Sequence, residues 1–387
     1  MFSALYDTLR APLTALLRHG TPWNCPEFPI STRTEEALHA LRRDVRTHPM
    51  TTEILLQNAA EQRMASHVGR YYPVVPVYAT SICAEGCLYC NYRRENHEGV
   101  ERVRLTDDQL EHEMRFLVHV EGHRVLELVY SSDPGVSAGD IARHLRIARR
   151  VLDEAGGGVT SVNGPSLDEE GYRLLAQQDT GFVALWQETY DRERYGLLHP
   201  PPGVKCNFEN RLDAFDRMFR AGIRRVGMGV LSGLADWRWD WGMLLLHEEY
   251  MERTYGTGPA VLGIPRLKHA PGADRIDGYT PADLEFRYAV AVHQDCRPDC
   301  YPFVNTREDW GLCMDLARGG GCLFTFNCST IPGGYTRRHR GAQFVSHDFG
   351  GPLFRSAANA SGLRSALPWQ EQEGEPAATA PGSGPRG

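Results

Sequence analysis

At 387 residues, 42% hydrophobic and 24% charged, the chain has the make-up of a folded globular protein, sized for two average domains or one α/β barrel with extensions. A net charge of −7 with scattered signs argues against nucleic-acid binding, which needs a basic face, and no apolar run approaches the roughly 20 residues of a membrane span. Ten cysteines in a long chain with an amphipathic, not signal-like, start point to the reducing cytoplasm rather than to a disulfide framework.

Residues 1–70 read as a helical extension. Leu38, Leu41 and Val45, then Ile54, Leu55 and Ala59, are spaced for helices packing on a larger body, and Cys25 is a lone thiol. From residue 73 short apolar segments alternate with helical ones. Strands are expected at Pro73–Ser81, Val125–Tyr130, Val159–Asn163, Phe182–Trp186, Arg225–Leu231, Ala260–Pro265, Tyr301–Thr306 and Leu323–Cys328. The intervening helices begin at Thr106 and continue over Ala138–Ala155, Ser166–Gln177, Asn210–Ala221, Trp241–Tyr255, Pro281–Val292 and Trp310–Ala317. Eight such units indicate a parallel sheet closed as a (β/α)8 TIM-like barrel over residues 71–348, although periodicity alone also allows an open doubly wound sheet. The rhythm ends near Phe349, and residues 349–387 read as a disordered tail rich in Ala, Pro and Gly.

The chemistry is concentrated after the first strand, in Cys83-Ala84-Glu85-Gly86-Cys87-Leu88-Tyr89-Cys90. Thiolates at this spacing can reach a common centre. Two readings fit: a zinc site with His97 as fourth ligand in a non-catalytic protein, or an iron–sulfur cluster with three protein ligands and one open iron. Cys296-x3-Cys300 reads as scattered thiols rather than a second site. The other expected strand ends are polar, carrying Ser131-Ser132-Asp133, Asn163, Gln187-Glu188, Asn305-Thr306-Arg307 and Asn327-Cys328-Ser329. Strand ends of this kind surround the active site in parallel barrels.

The three-cysteine loop, with Tyr89 just before its last cysteine, resembles that of the radical S-adenosylmethionine (SAM) enzymes. Further motifs are similar to the aromatic amino-acid lyase branch of that superfamily, which includes 2-iminoacetate synthase and other tyrosine and tryptophan lyases. They are Trp186-Gln187-Glu188-Thr189-Tyr190, Leu198-His199-Pro200, Asp213–Asp216 with Arg217, Gly229–Leu234, Ile264-Pro265-Arg266-Leu267, Asn305-Thr306-Arg307-Glu308 and Pro332-Gly333-Gly334-Tyr335. The resemblance implies that Cys83, Cys87 and Cys90 hold a [4Fe–4S] cluster whose open iron binds SAM. It places Tyr89, Ser132, Asp133, Asn163 and Glu188 around SAM, with Asp133 substituting for a missing acidic motif. It sets Arg307 on the substrate carboxylate, with Asn327 and Ser329 nearby, and makes Arg307 and Glu188 the catalytic pair. The implied reaction is radical cleavage of the Cα–Cβ bond of an aromatic amino acid, tyrosine above tryptophan, giving 2-iminoacetate and p-cresol. The implied partners are a flavodoxin- or ferredoxin-type electron donor and a thiazole-synthase-like protein, as in thiamine biosynthesis.

Overall fold

The computed structural model describes residues 1–47, 49–276, 278–305, 307–337, 339–346 and 351–369. Its centre is eight parallel strands: β1 (Arg70–Tyr78), β2 (Val125–Val129), β3 (Val159–Asn163), β4 (Phe182–Ala184), β5 (Val226–Gly229), β6 (Val261–Gly263), β7 (Tyr301–Val304) and β8 (Cys322–Thr325). Each pairs with the next, and β1 pairs with both β2 and β8, so the sheet closes into a barrel. The registers Pro76 opposite Glu127 and Val74 opposite Thr325 fix which residues face inward. The strands are short and almost wholly buried, as expected where helices cover the outside and side chains fill the inside.

Helices follow from their caps. Thr106 closes a capping box on α4 (Asp107–Arg115), and Ser137 does the same for α5 (Ala138–Glu154). Asp168, Asp191 and Asn207 cap α6 (Glu169–Ala176), α7 (Arg192–Leu198) and α8 (Phe208–Leu212). The single helix expected over Asn210–Ala221 is instead α8 followed by α9 (Ala214–Arg220), broken at Asp213. Three helices complete the ring: α10 (Trp237–Tyr255), α11 (Asp283–Cys296) and α12 (Trp310–Ala317).

The N-terminal extension contains the first three helices, α1 (Ser3–His19), α2 (Thr32–Leu41) and α3 (Pro49–His67). The first docks through its own backbone: Phe2 N donates to Asp216 and Ser3 N to Asp213, while the Phe2 ring stacks on His247 at 3.7 Å. The motif Asp213–Asp216 is thus an anchor for the chain start. In the third helix Ile54 and Leu55, expected to pack inward, are 54% and 39% exposed.

The expectation of disorder from residue 349 is wrong for the described part of that segment. Gly351–Ala360 is a helix, and Arg364–Ser365 adds a short strand beside β1. Phe354 is fully buried, stacked on Phe324 at 4.2 Å and Phe326 at 4.9 Å, and Trp369 closes the barrel floor against Tyr301 and Phe182. These two aromatic residues anchor the segment by burying their rings against the barrel. Residues 370–387 lie outside the described residues. Phe354→Ala is expected to cost about 3–5 kcal/mol of stability in urea unfolding. An unchanged midpoint would show that the segment does not pack.

Candidate active site

The cysteine loop follows β1 at the C-terminal mouth of the barrel and is tied down by the backbone around it. Ala84 N donates to Ser132 O, Leu88 N to Leu198 O and Arg94 N to Glu85 O. Arg102 donates to four carbonyls at once, those of Ser81, Tyr92, Arg93 and Asn96, all within 2.6–2.9 Å. Cys83, Cys87 and Cys90 consequently line one cavity, and Gln343 connects Tyr78 to the Cys90 sulfur at 3.9 Å. Burial pushes the Cys83 thiol up to about 11 and the Cys87 thiol up to about 12, so at neutral pH these groups become thiolates only against a bound cation.

Glu188 forms the opposite wall. It stands just past β4 with φ of 74°, a left-handed conformation rare for a side-chain-bearing residue and typical of functional strain. Its Oε1 pairs with Lys205 Nζ at 2.6 Å and Arg211 at 3.5 Å. Burial pushes the Glu188 carboxyl up, but the two cations outweigh it and hold the group below the usual carboxylate range. Gln187, Thr189 and Tyr190, by contrast, are fully buried: Thr189 Oγ1 and Tyr190 N donate to Asp240, and Tyr190 bonds His247. Tyr89 sits nearby with its hydroxyl 2.8 Å from His199 Nε2. His199 Nδ1 lies 2.8 Å from the Tyr195 carbonyl, and burial lowers the imidazole to about 3, so the ring is neutral, donates through Nδ1 and accepts from Tyr89.

Arg307 lies beyond β7, half-buried, with its guanidinium 3.6 Å from the centre of the Phe344 ring. Among the described residues it is in no ion pair. The strand-tying pair is made by its neighbours, since Glu308 takes two hydrogen bonds from Arg266 and an ion pair from Lys268. Arg307 therefore faces the cavity as a cation fixed by an aromatic face and a buttressed loop.

Ser132 and Asn163 line this cavity; Asp133, Asn327 and Ser329 do not. Asp133 is held by Arg104, Thr80 and the Gly135 N–H, with its side chain fully buried, so its carboxylate is already committed. Asn327 adopts φ of 50° and turns out toward Glu121 at 3.4 Å, which breaks the in–out alternation and brings Cys328 to the cavity in its place. The Ser329 hydroxyl accepts from Ile331 N within its own turn. His97 is exposed and absent from the cavity wall.

Sequence reasoning missed Glu127, Lys205, Arg211 and Thr325. Glu127 lies mid-strand in β2 with its carboxyl pushed up to about 8 by burial, against a weaker downward pull from the Asn163 side chain. A carboxylate inside the apolar run Leu126-Glu127-Leu128 was the available signal.

Three thiols that share one cavity suit a polynuclear cluster, in which each thiolate takes its own iron. The donor set and the space above it thus fit a three-cysteine [4Fe–4S] site.

A family model described as the Radical SAM superfamily matches residues 77–240. The 2-iminoacetate synthase of Salmonella typhimurium strain LT2 is 28% identical over 318 residues, covering 80% of this chain and 79% of that one. A solved structure of HydG, a maturase of the [FeFe]-hydrogenase, superposes with a TM-score of 0.80 and 25% identity over 93% of this chain and 76% of that one. Methylornithine synthase (PylB), at 18% identity and a TM-score of 0.67 over 92% of this chain and 97% of that one, shares the fold. No helix among the described residues is long and apolar enough to cross a membrane.

Proposed function

We propose that this chain is a radical SAM enzyme, with a [4Fe–4S] cluster and SAM as cofactors, and that it cleaves the Cα–Cβ bond of an aromatic amino acid, tyrosine foremost. When bound, the two cofactors supply a hydrogen-abstracting 5′-deoxyadenosyl radical; the protein supplies binding, orientation and a dry cavity. Cys83, Cys87 and Cys90 would hold the cluster. Glu188, with Lys205 and Arg211 behind it, and the Tyr89 ring fixed by His199 would border SAM.

The observation that carries the reading is Arg307. A guanidinium that faces an aromatic-walled cavity, with no carboxylate partner among the described residues, suits the carboxylate of an amino acid. Tyr78, Trp186, Phe303 and Phe344 beside it suit an aromatic side chain. The products would be 2-iminoacetate and p-cresol. The partners would be a flavodoxin- or ferredoxin-type reductant and a thiazole-synthase-like acceptor of the imine.

Anaerobic incubation with SAM, dithionite and each aromatic amino acid in turn, read by mass spectrometry, tests this. Tyrosine should yield p-cresol. Formation of 5′-deoxyadenosine driven only by a non-aromatic amino acid would refute the reading. Glu188→Gln should also slow the uncoupled formation of 5′-deoxyadenosine, measured without any amino acid, by roughly ten- to a hundredfold, since a charged hydrogen bond is worth about 1.5–3 kcal/mol. A wild-type rate would remove Glu188 from the cofactor site.

A further inference from the structure

Glu127 on β2 and Thr325 on β8 are each 3% exposed, and among the described residues neither Glu127 Oε1 nor Thr325 Oγ1 has a hydrogen-bond partner, although the Glu127 carboxyl also meets the Asn163 side chain. Both residues line the same cavity as the cysteine loop and Arg307. Register places them on either side of β1, Glu127 opposite Pro76 and Thr325 opposite Val74, so they are neighbours across one strand. Below them the barrel is filled by the apolar side chains of Tyr72, Val74, Leu323 and Trp369.

Buried hydrogen-bonding groups are nearly always satisfied, and an orphaned pair aimed into a cavity points to a ligand that satisfies them. We propose that Glu127 and Thr325 are specificity-determining residues that hydrogen-bond a polar group on the far edge of the substrate's ring, the phenol hydroxyl of tyrosine. This rests on the aromatic-lyase reading above. A carboxyl that keeps its proton near neutrality can both donate and accept, as can a threonine hydroxyl, and a phenol offers both in return.

Such a site rejects the ring that lacks the group, because the protein's own buried atoms are then left unpaired. The test is anaerobic equilibrium dialysis of the cluster-loaded, SAM-bound protein with tyrosine, phenylalanine and tryptophan. Wild type should bind tyrosine about ten- to a hundredfold more tightly than phenylalanine. Glu127→Leu should bring the ratio close to one while phenylalanine binding is kept, and Glu127→Gln should retain much of the preference. Thr325→Val, nearly isosteric, should lower the ratio if the Leu variant fails to fold. A preference for tryptophan that Glu127→Leu abolishes supports the same site with the indole N–H as the group read. Equal wild-type affinity for tyrosine and phenylalanine, or an unaltered preference in both Glu127→Leu and Thr325→Val, overturns the assignment and leaves the lyase reading standing. Binding of none of the three amino acids overturns both.

Discussion

Protein reconstituted anaerobically should hold about four irons per chain, and replacing Cys83, Cys87 or Cys90 singly with Ala should bring that to near zero. The expected loss is close to complete because the loop offers three ligands and a cubane corner without its thiolate is open to hydrolysis. Iron content with the visible absorption of the cluster measures it. The loop is held mainly by backbone contacts centred on Arg102, with only the longer contacts from Tyr92 N and Gln343 reaching a thiol, that of Cys90, so the metal-free variants should remain folded. The paired variant Cys296→Ala with Cys300→Ala is the control. Both are buried away from the cavity; Cys296 bonds Arg297 and Arg33 between the outer helices, and iron content should not change. Full iron retention by the triple variant at Cys83, Cys87 and Cys90 would overturn the cluster site.

Arg307→Lys should leave the cluster and the slow uncoupled formation of 5′-deoxyadenosine intact while product formation collapses. Lysine keeps the charge but loses the two-pronged geometry for a carboxylate and the planar contact with Phe344. The lost charged hydrogen bond is worth about 1.5–3 kcal/mol, or roughly ten- to a hundredfold. Misplacing the substrate hydrogen can cost on the order of a further hundredfold. Thermal stability should change little, because the strand-tying role belongs to Arg266 with Glu308. A variant that forms product at the wild-type rate would exclude the carboxylate role, and one that loses iron and stability together would make Arg307 a structural residue.

Helix and strand positions were largely legible in the sequence. Thr106 opens its helix as expected, α5 begins at the expected Ala138, and all eight strands fall within the expected windows or overlap them. Glu188 was legible as a strand-end carboxylate but not its partners, Lys205 and Arg211, which arrive from a long connection. The resemblance sets Asp133 at the cofactor in place of a missing acidic motif; the competing Arg104 lies 29 residues away in the chain.

The sequence by itself determined the alternation of strands and helices and the cysteine loop, while closure of the sheet into a barrel is shown by the pairing of β1 with β8. Both are local: alternation repeats every few tens of residues, and three thiols within eight residues carry their geometry with them. The tertiary structure alone decided which polar residues face the cavity. Facing depends on single-residue register, and a left-handed residue such as Asn327 reverses it without leaving a trace in composition. It also decided the ordering of residues 351–369, where Phe354 and Trp369 find apolar sites built by distant strands. The same holds for Glu127: an acid in an apolar strand is a signal, but only the closed barrel sets it across β1 from Thr325, with its Oε1 unpaired among the described residues.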